Sequence, residues 1–147
     1  MITAILATLV AGTVHADPQK TAANKKVVVD FYDLAFDQRK PTEAALKYIS
    51  AKTYIQHNPN GKDGREVFLT GFAKFVEKGS LRCVRKRAVA ENDLVVIHAH
   101  CIDNPADPKD RGHAYMDIFR VENGLIVEHW DVGQPVPEKS ANNNTMF

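Results

Sequence analysis

Two β-rich runs meet at Glu122-Asn123-Gly124. The segment they form, Ala114 to Val132 (AYMDIFRVENGLIVEHWDV), constrains the fold more than any other part of the chain. Asn-Gly between such runs is a strong hairpin signal, because both residues tolerate the positive φ of a tight turn. Asp117, His129, Trp130 and Asp131 stand in these strands, where a sheet usually carries apolar side chains. The hairpin is therefore both the best marker of the fold and the best candidate site.

Alternate residues of a strand share a face. A type I turn with a glycine bulge at Gly124 pairs Val121 with Leu125. Counting back, Asp117 then faces His129 and Tyr115 faces Asp131. One face carries Tyr115, Asp117, His129 and Asp131 beside Phe119 and Val127. A two-residue loop would instead set Trp130 beside Asp117. A carboxylate next to a histidine on a partly apolar face suits general acid–base chemistry, since burial disfavours the charged carboxyl and an imidazole can relay protons. The alternative is an Asp–His pair that only orders the hairpin.

The first half of the chain reads as helices. Val27, Val28, Phe31, Leu34 and Ala35 recur at helical spacing over about residues 21–36. A second helix starts at Pro41, a residue suited to a first helical turn. A short extended piece, Tyr54 to His57, ends at Asn58-Pro59. A third helix over residues 64–78 carries Phe68, Phe72, Phe75 and Val76 as an apolar stripe, read as core, and stops at Gly79. From Leu81 the pattern changes to strands: 84–90 with 94–101, then 113–121 with 125–132. Helices first and antiparallel strands afterwards give an α+β fold, with N-terminal helices packed on one side of a curved antiparallel sheet.

The 147 residues suffice for one domain with a sizeable core. A formal net charge of +1 gives no electrostatic footprint for nucleic acid or an anionic membrane. Arg82, Arg85, Lys86 and Arg87 are read as a solvated strand face. Ile2 to Val14 has no charged residue, and Val14-His15-Ala16 ends it with small residues in a cleavage-like pattern. Residues 1–16 are therefore read as an export signal and 17–147 as the single domain, periplasmic or secreted after cleavage; without a signal the protein would be cytoplasmic. The apolar run is short for a bilayer span. Export would permit a bridge between Cys83 and Cys101, which a three-residue loop at 91–93 places opposite each other. The reading adopted is two reduced, buried thiols, because bridge geometry is demanding.

His98 and His100 share a strand face, and two histidines at that spacing can bind a metal. With His57, His129 or Asp117 they could build a site. The His-x-His start of a cupin motif is not continued by a Glu, however, and the helical first half does not suit a jelly roll. Metal is therefore the minority reading, and histidines lining a pocket the main one. No phosphate loop, serine elbow or dinucleotide fingerprint is present.

The order of elements, with TYIQHNP, GREVF, VIHAH, DIFRVENGLIVEHWDV and the ending NNNTMF, resembles the SnoaL-like polyketide cyclase family of the nuclear transport factor two-like superfamily. The resemblance covers about residues 25–147. It implies a cone: helices on a strongly curved sheet that encloses a pocket facing the second hairpin. It also implies acid–base chemistry on a small carbonyl compound, an aldol cyclisation or an isomerisation, without cofactor or metal. Asp131 falls at the family's acid/base aspartate, and Asp117 and Tyr115 at polar pocket positions. The expected catalytic residues are thus Asp131, Asp117 and His129, with His57, His98, Tyr115 and Trp130 contacting a small-molecule substrate. A homodimer through the open sheet is a further implication. The same fold hosts non-catalytic ligand binders, so a binding domain is the alternative.

Overall fold

The structure, a computed structural model, describes residues 17–147. The segment read as an export signal lies outside them. Helix α1 spans Pro18–Tyr32 and runs on as a π-helical turn, Asp33–Asp37. Asp17 caps it, accepting from the backbone N–H groups of Gln19 and Lys20. Helix α2 is Pro41–Tyr48, α3 Arg65–Thr70 and α4 Phe72–Lys78. The single helix expected over 64–78 is broken at Gly71, where φ is −102° and ψ −90°.

Five strands follow the order β1-β5-β4-β3-β2: β1 Ile55–Gln56, β2 Arg82–Glu91, β3 Leu94–Ile102, β4 His113–Glu122 and β5 Leu125–Pro135. All neighbours are antiparallel except β1 and β5, and the curved sheet does not close. The fold is α+β as the sequence predicts. Helix α1 lies across the concave face. The core there joins Val28 and Phe31 to Val95, Ile97, Val121 and Ile126.

Both hairpins depart from the expected turns in the same way. The β4–β5 loop has two residues: Glu122 pairs Leu125, with φ of 52° at Asn123 and 77° at Gly124, a type I′ geometry. By itself this loop would turn Trp130 onto the face of Asp117. A bulge restores the parity, because Val121 pairs Ile126 while Arg120 pairs Glu128, leaving Val127 without a partner. Asp117 therefore faces Asp131, Phe119 faces His129 and Tyr115 faces Gly133. The expected partners are shifted by two residues, and the expected face is kept.

The β2–β3 hairpin repeats the device. Glu91 pairs Leu94 across a two-residue loop, and a bulge between Arg85 and Arg87 brings Cys83 opposite Cys101. The reading of two free thiols is corrected here: the two sulfurs are bonded, with the Cα atoms 4.0 Å apart. Arg85, beside that bulge, clamps the π-helical turn through two bonds to the Asp33 carboxylate, Nε to Oδ1 at 3.0 Å and a terminal nitrogen to Oδ2 at 2.9 Å.

Candidate active site

The concave face and the helices enclose a cavity of about 620 Å³. Its deep end is made by buried Phe31, Tyr32, Tyr54 and Phe119, and its mouth by exposed Lys62, Phe72, Phe75 and Asp103. The aromatic stripe of α3 and α4, read from the sequence as core, thus forms the roof and rim of the cavity. Phe72 and Phe75 are 42% and 56% exposed.

Asp117, His129 and Asp131 project into the cavity from β4 and β5. His129 Nε2 lies 3.3 Å from Asp117 Oδ1, and both side chains are nearly nine-tenths buried. The ring of Phe119 stacks on the imidazole at 4.7 Å. Tyr32 donates its hydroxyl to Asp117 Oδ2 at 3.4 Å. Burial, followed by the charge of Asp117, holds the Tyr32 hydroxyl well above its ordinary range, so it stays a donor. Burial raises Tyr54 too, with Asp117 and Asp131 adding to the effect. On Tyr115 the charges of Asp103, Asp131 and Asp117 act behind burial in the same direction. Three hydroxyls on the wall therefore sense a negative interior.

Two amides from the β1 segment complete the cluster. Asn58 Nδ2 donates to both oxygens of Asp131, at 2.9 and 2.8 Å. Its orientation is set by the Asn60 backbone N–H, which donates to Asn58 Oδ1 at 2.8 Å. Gln56 Oε1 lies 3.0 Å from His129 Nδ1. Sequence reasoning missed Gln56, Asn58 and Tyr32. They sit 73 to 85 residues away from their partners, and only the parallel pairing of Gln56 with His129 brings the first two there.

Four of the seven expected site residues, Tyr115, Asp117, His129 and Asp131, line the cavity. The other three lie off its wall. His57 stacks on Trp130 at 4.6 Å and contacts Glu128 Oε1 at 2.9 Å on the outer side of β5. His98 contacts Arg87 and stacks with Phe147, beside His100. A signal for this was available: His98 and His100 alternate with Val95, Ile97, Ala99 and Cys101, all buried, so the histidines point outward. The outer histidines cannot join His129 around one ion. The donor atoms of Asp117, His129 and Asp131, by contrast, lie within 4.8 Å of one another, a set that could share a divalent cation.

Helices on a curved open sheet, with polar side chains converging in an apolar cavity, define a small-molecule-binding class of α+β protein. Residues 28–129 match the SnoaL-like domain, and the chain belongs to that family. Among solved structures it is similar to a candidate SnoaL-like polyketide cyclase from Jannaschia sp. CCS1, at 17% identity and a TM-score of 0.62 over 82% of this chain and 91% of that one. TsrD from Streptomyces laurentii gives 19% and 0.60 over 81% and 91%. A candidate ketosteroid isomerase from Kribbella flavida gives 12% and 0.63 over 84% and 86%. At these identities the likeness is one of fold. No curated protein matches the chain.

Proposed function

We propose that the protein is an enzyme that moves a proton on a small carbonyl compound, in an isomerisation or an aldol-type cyclisation. One observation carries this reading. Two carboxylates and an imidazole converge at the buried end of a cavity large enough for a compound of several rings, with protonated tyrosine hydroxyls among its walls. Removing a proton from carbon next to a carbonyl needs a positioned base and a donor for the oxygen that gains charge. Asp117 and Asp131 serve as the acid–base pair, His129 orients and relays, and Tyr115 faces the developing oxyanion. The negative interior favours neutral or cationic ligands over carboxylates.

The test is deuterium exchange at the α-carbon of cyclic ketones and diketones in D₂O, followed by NMR. Wild-type protein should accelerate exchange. An Asp117→Asn, Asp131→Asn double variant should lose on the order of 10²–10⁴ of that rate. Wild-type-like exchange in the double variant would refute the proposal. A purely binding domain would bind such compounds without exchanging them.

A further inference from the structure

We propose that Gln56 is a positioning residue that decides which nitrogen of His129 exchanges protons, an inference that rests on the acid–base reading above. The argument starts from a group with no freedom of choice. The backbone N–H of Asn58 can only donate, and it lies 2.8 Å from Gln56 Oε1. That end of the amide is therefore the oxygen, an assignment made by the network itself. The other end agrees, since Gln56 Nε2 lies 3.5 Å from the Tyr54 hydroxyl.

The same oxygen lies 3.0 Å from His129 Nδ1. This is the shorter of the ring's two polar contacts, so the one hydrogen of the neutral ring sits on Nδ1 and is donated to Gln56. In the neutral ring the lone pair is left on Nε2, which faces Asp117 Oδ1 at 3.3 Å inside the cavity. Two acceptors then look at each other across an empty gap that has room for one proton. When the C–H bond of a carbon acid breaks, its electron pair passes to the enolate and its proton to this gap. Reprotonation returns that proton to carbon. Nδ1 takes no part, because its hydrogen is held by Gln56.

Among the described residues, the other groups around His129 do not offer Nδ1 a competing acceptor. Asp117 meets the ring at Nε2, Phe119 covers one face, Asp131 is bonded to Asn58, Tyr32 reaches Asp117, and Tyr54 receives the Gln56 amide. The placement follows from topology: Gln56 is paired with His129 in the parallel β1–β5 ladder, so the two side chains stand side by side. A change at Gln56 should therefore alter the protonation pattern of a ring on another strand.

The experiment is ¹H–¹⁵N NMR of the histidine rings in the full chain, with the His129 signals assigned by their loss in His129→Gln. The neutral ring should be the Nδ1–H form, in excess by about tenfold. In Gln56→Leu the ring should switch to the Nε2–H form, donating to Asp117. Gln56→Glu keeps an acceptor at that place and should restore Nδ1–H, which separates this role from a merely structural one. A neutral wild-type ring protonated at Nε2, or an unchanged ring in Gln56→Leu, overturns the proposal. No turnover is needed, so missing α-carbon exchange with the Nδ1–H form intact would sink the enzymatic reading alone.

Discussion

The Cys83–Cys101 bridge ties two strands across a separation of 18 residues, and its removal should be felt by the whole domain. In the chain-entropy description, closing a loop of that size lowers the freedom of the unfolded chain by an amount worth about 3 kcal/mol at 25 °C. Unfolding entropy near the melting point is about 2.1 cal/mol/K per residue, so over the roughly 130 residues from Asp17 onward the midpoint should fall by about 11 °C. The assay is thermal unfolding by circular dichroism of three samples: oxidised wild type, wild type refolded under reductant, and Cys83→Ala/Cys101→Ala. The reduced wild type isolates the covalent link, because its packing atoms are otherwise the same. The alanine pair adds loss of packing at two sites that are more than nine-tenths buried, so its midpoint should lie lower still. A fall of less than about 4 °C on reduction would refute the reasoning, since the unfolded chain would then gain little freedom from the cut. Both cysteines line the cavity, so the reduced protein should also bind cavity ligands more weakly.

Two further perturbations test the architecture. Glu128 is held below its ordinary value of 4.5, first by the hydrogen bond from His57 and also by Arg120. The unfolded carboxyl takes up its proton first as pH falls, so this stabilisation is complete above pH 4.5 and is lost as pH drops through the lower folded value. Glu128→Gln should flatten the acid limb of the stability curve, and an unchanged limb would contradict the ion pair. Inserting one alanine between Val127 and Glu128 adds a residue beyond the bulge and should turn His129 and Asp131 outward and Glu128 and Trp130 into the cavity. The insertion variant should unfold at markedly lower temperature and lose cavity binding, whereas Val127→Ala should keep the face and the binding. Retained binding in the insertion variant would show that the strand is not held in the register described.

Much of this molecule is legible in one dimension because the side-chain period of a strand is two. Parity groups Tyr115 with Asp117 on one strand and His129 with Asp131 on the next, and it sets Trp130 on the side opposite His129, although Trp130 was expected at the substrate. The alternation of Val95, Ile97, Ala99 and Cys101 with His98 and His100 carried the same kind of information. Parity is insensitive to a shift by two, which is why the face was read correctly while the partner of Asp117 was not. Each tight turn is offset by a bulge, at Val127 in one hairpin and at Lys86 in the other, and nothing local in either run announces it. The bond between Cys83 and Cys101 depends on that offset, so it too was decided in three dimensions.

The remaining decisions belong to long-range contacts. Gln56 reads as part of a short extended piece and Asn58 as a turn residue until β1 is laid parallel to β5, and nothing in the first helix singles out Tyr32 until that helix crosses the sheet. Composition and periodicity determine which side chains are hidden and which elements form, because burial and backbone geometry act residue by residue. Which hidden polar atoms meet, and so where a proton can go, is set by angstrom-scale distances between segments far apart in the chain, which only the folded structure supplies.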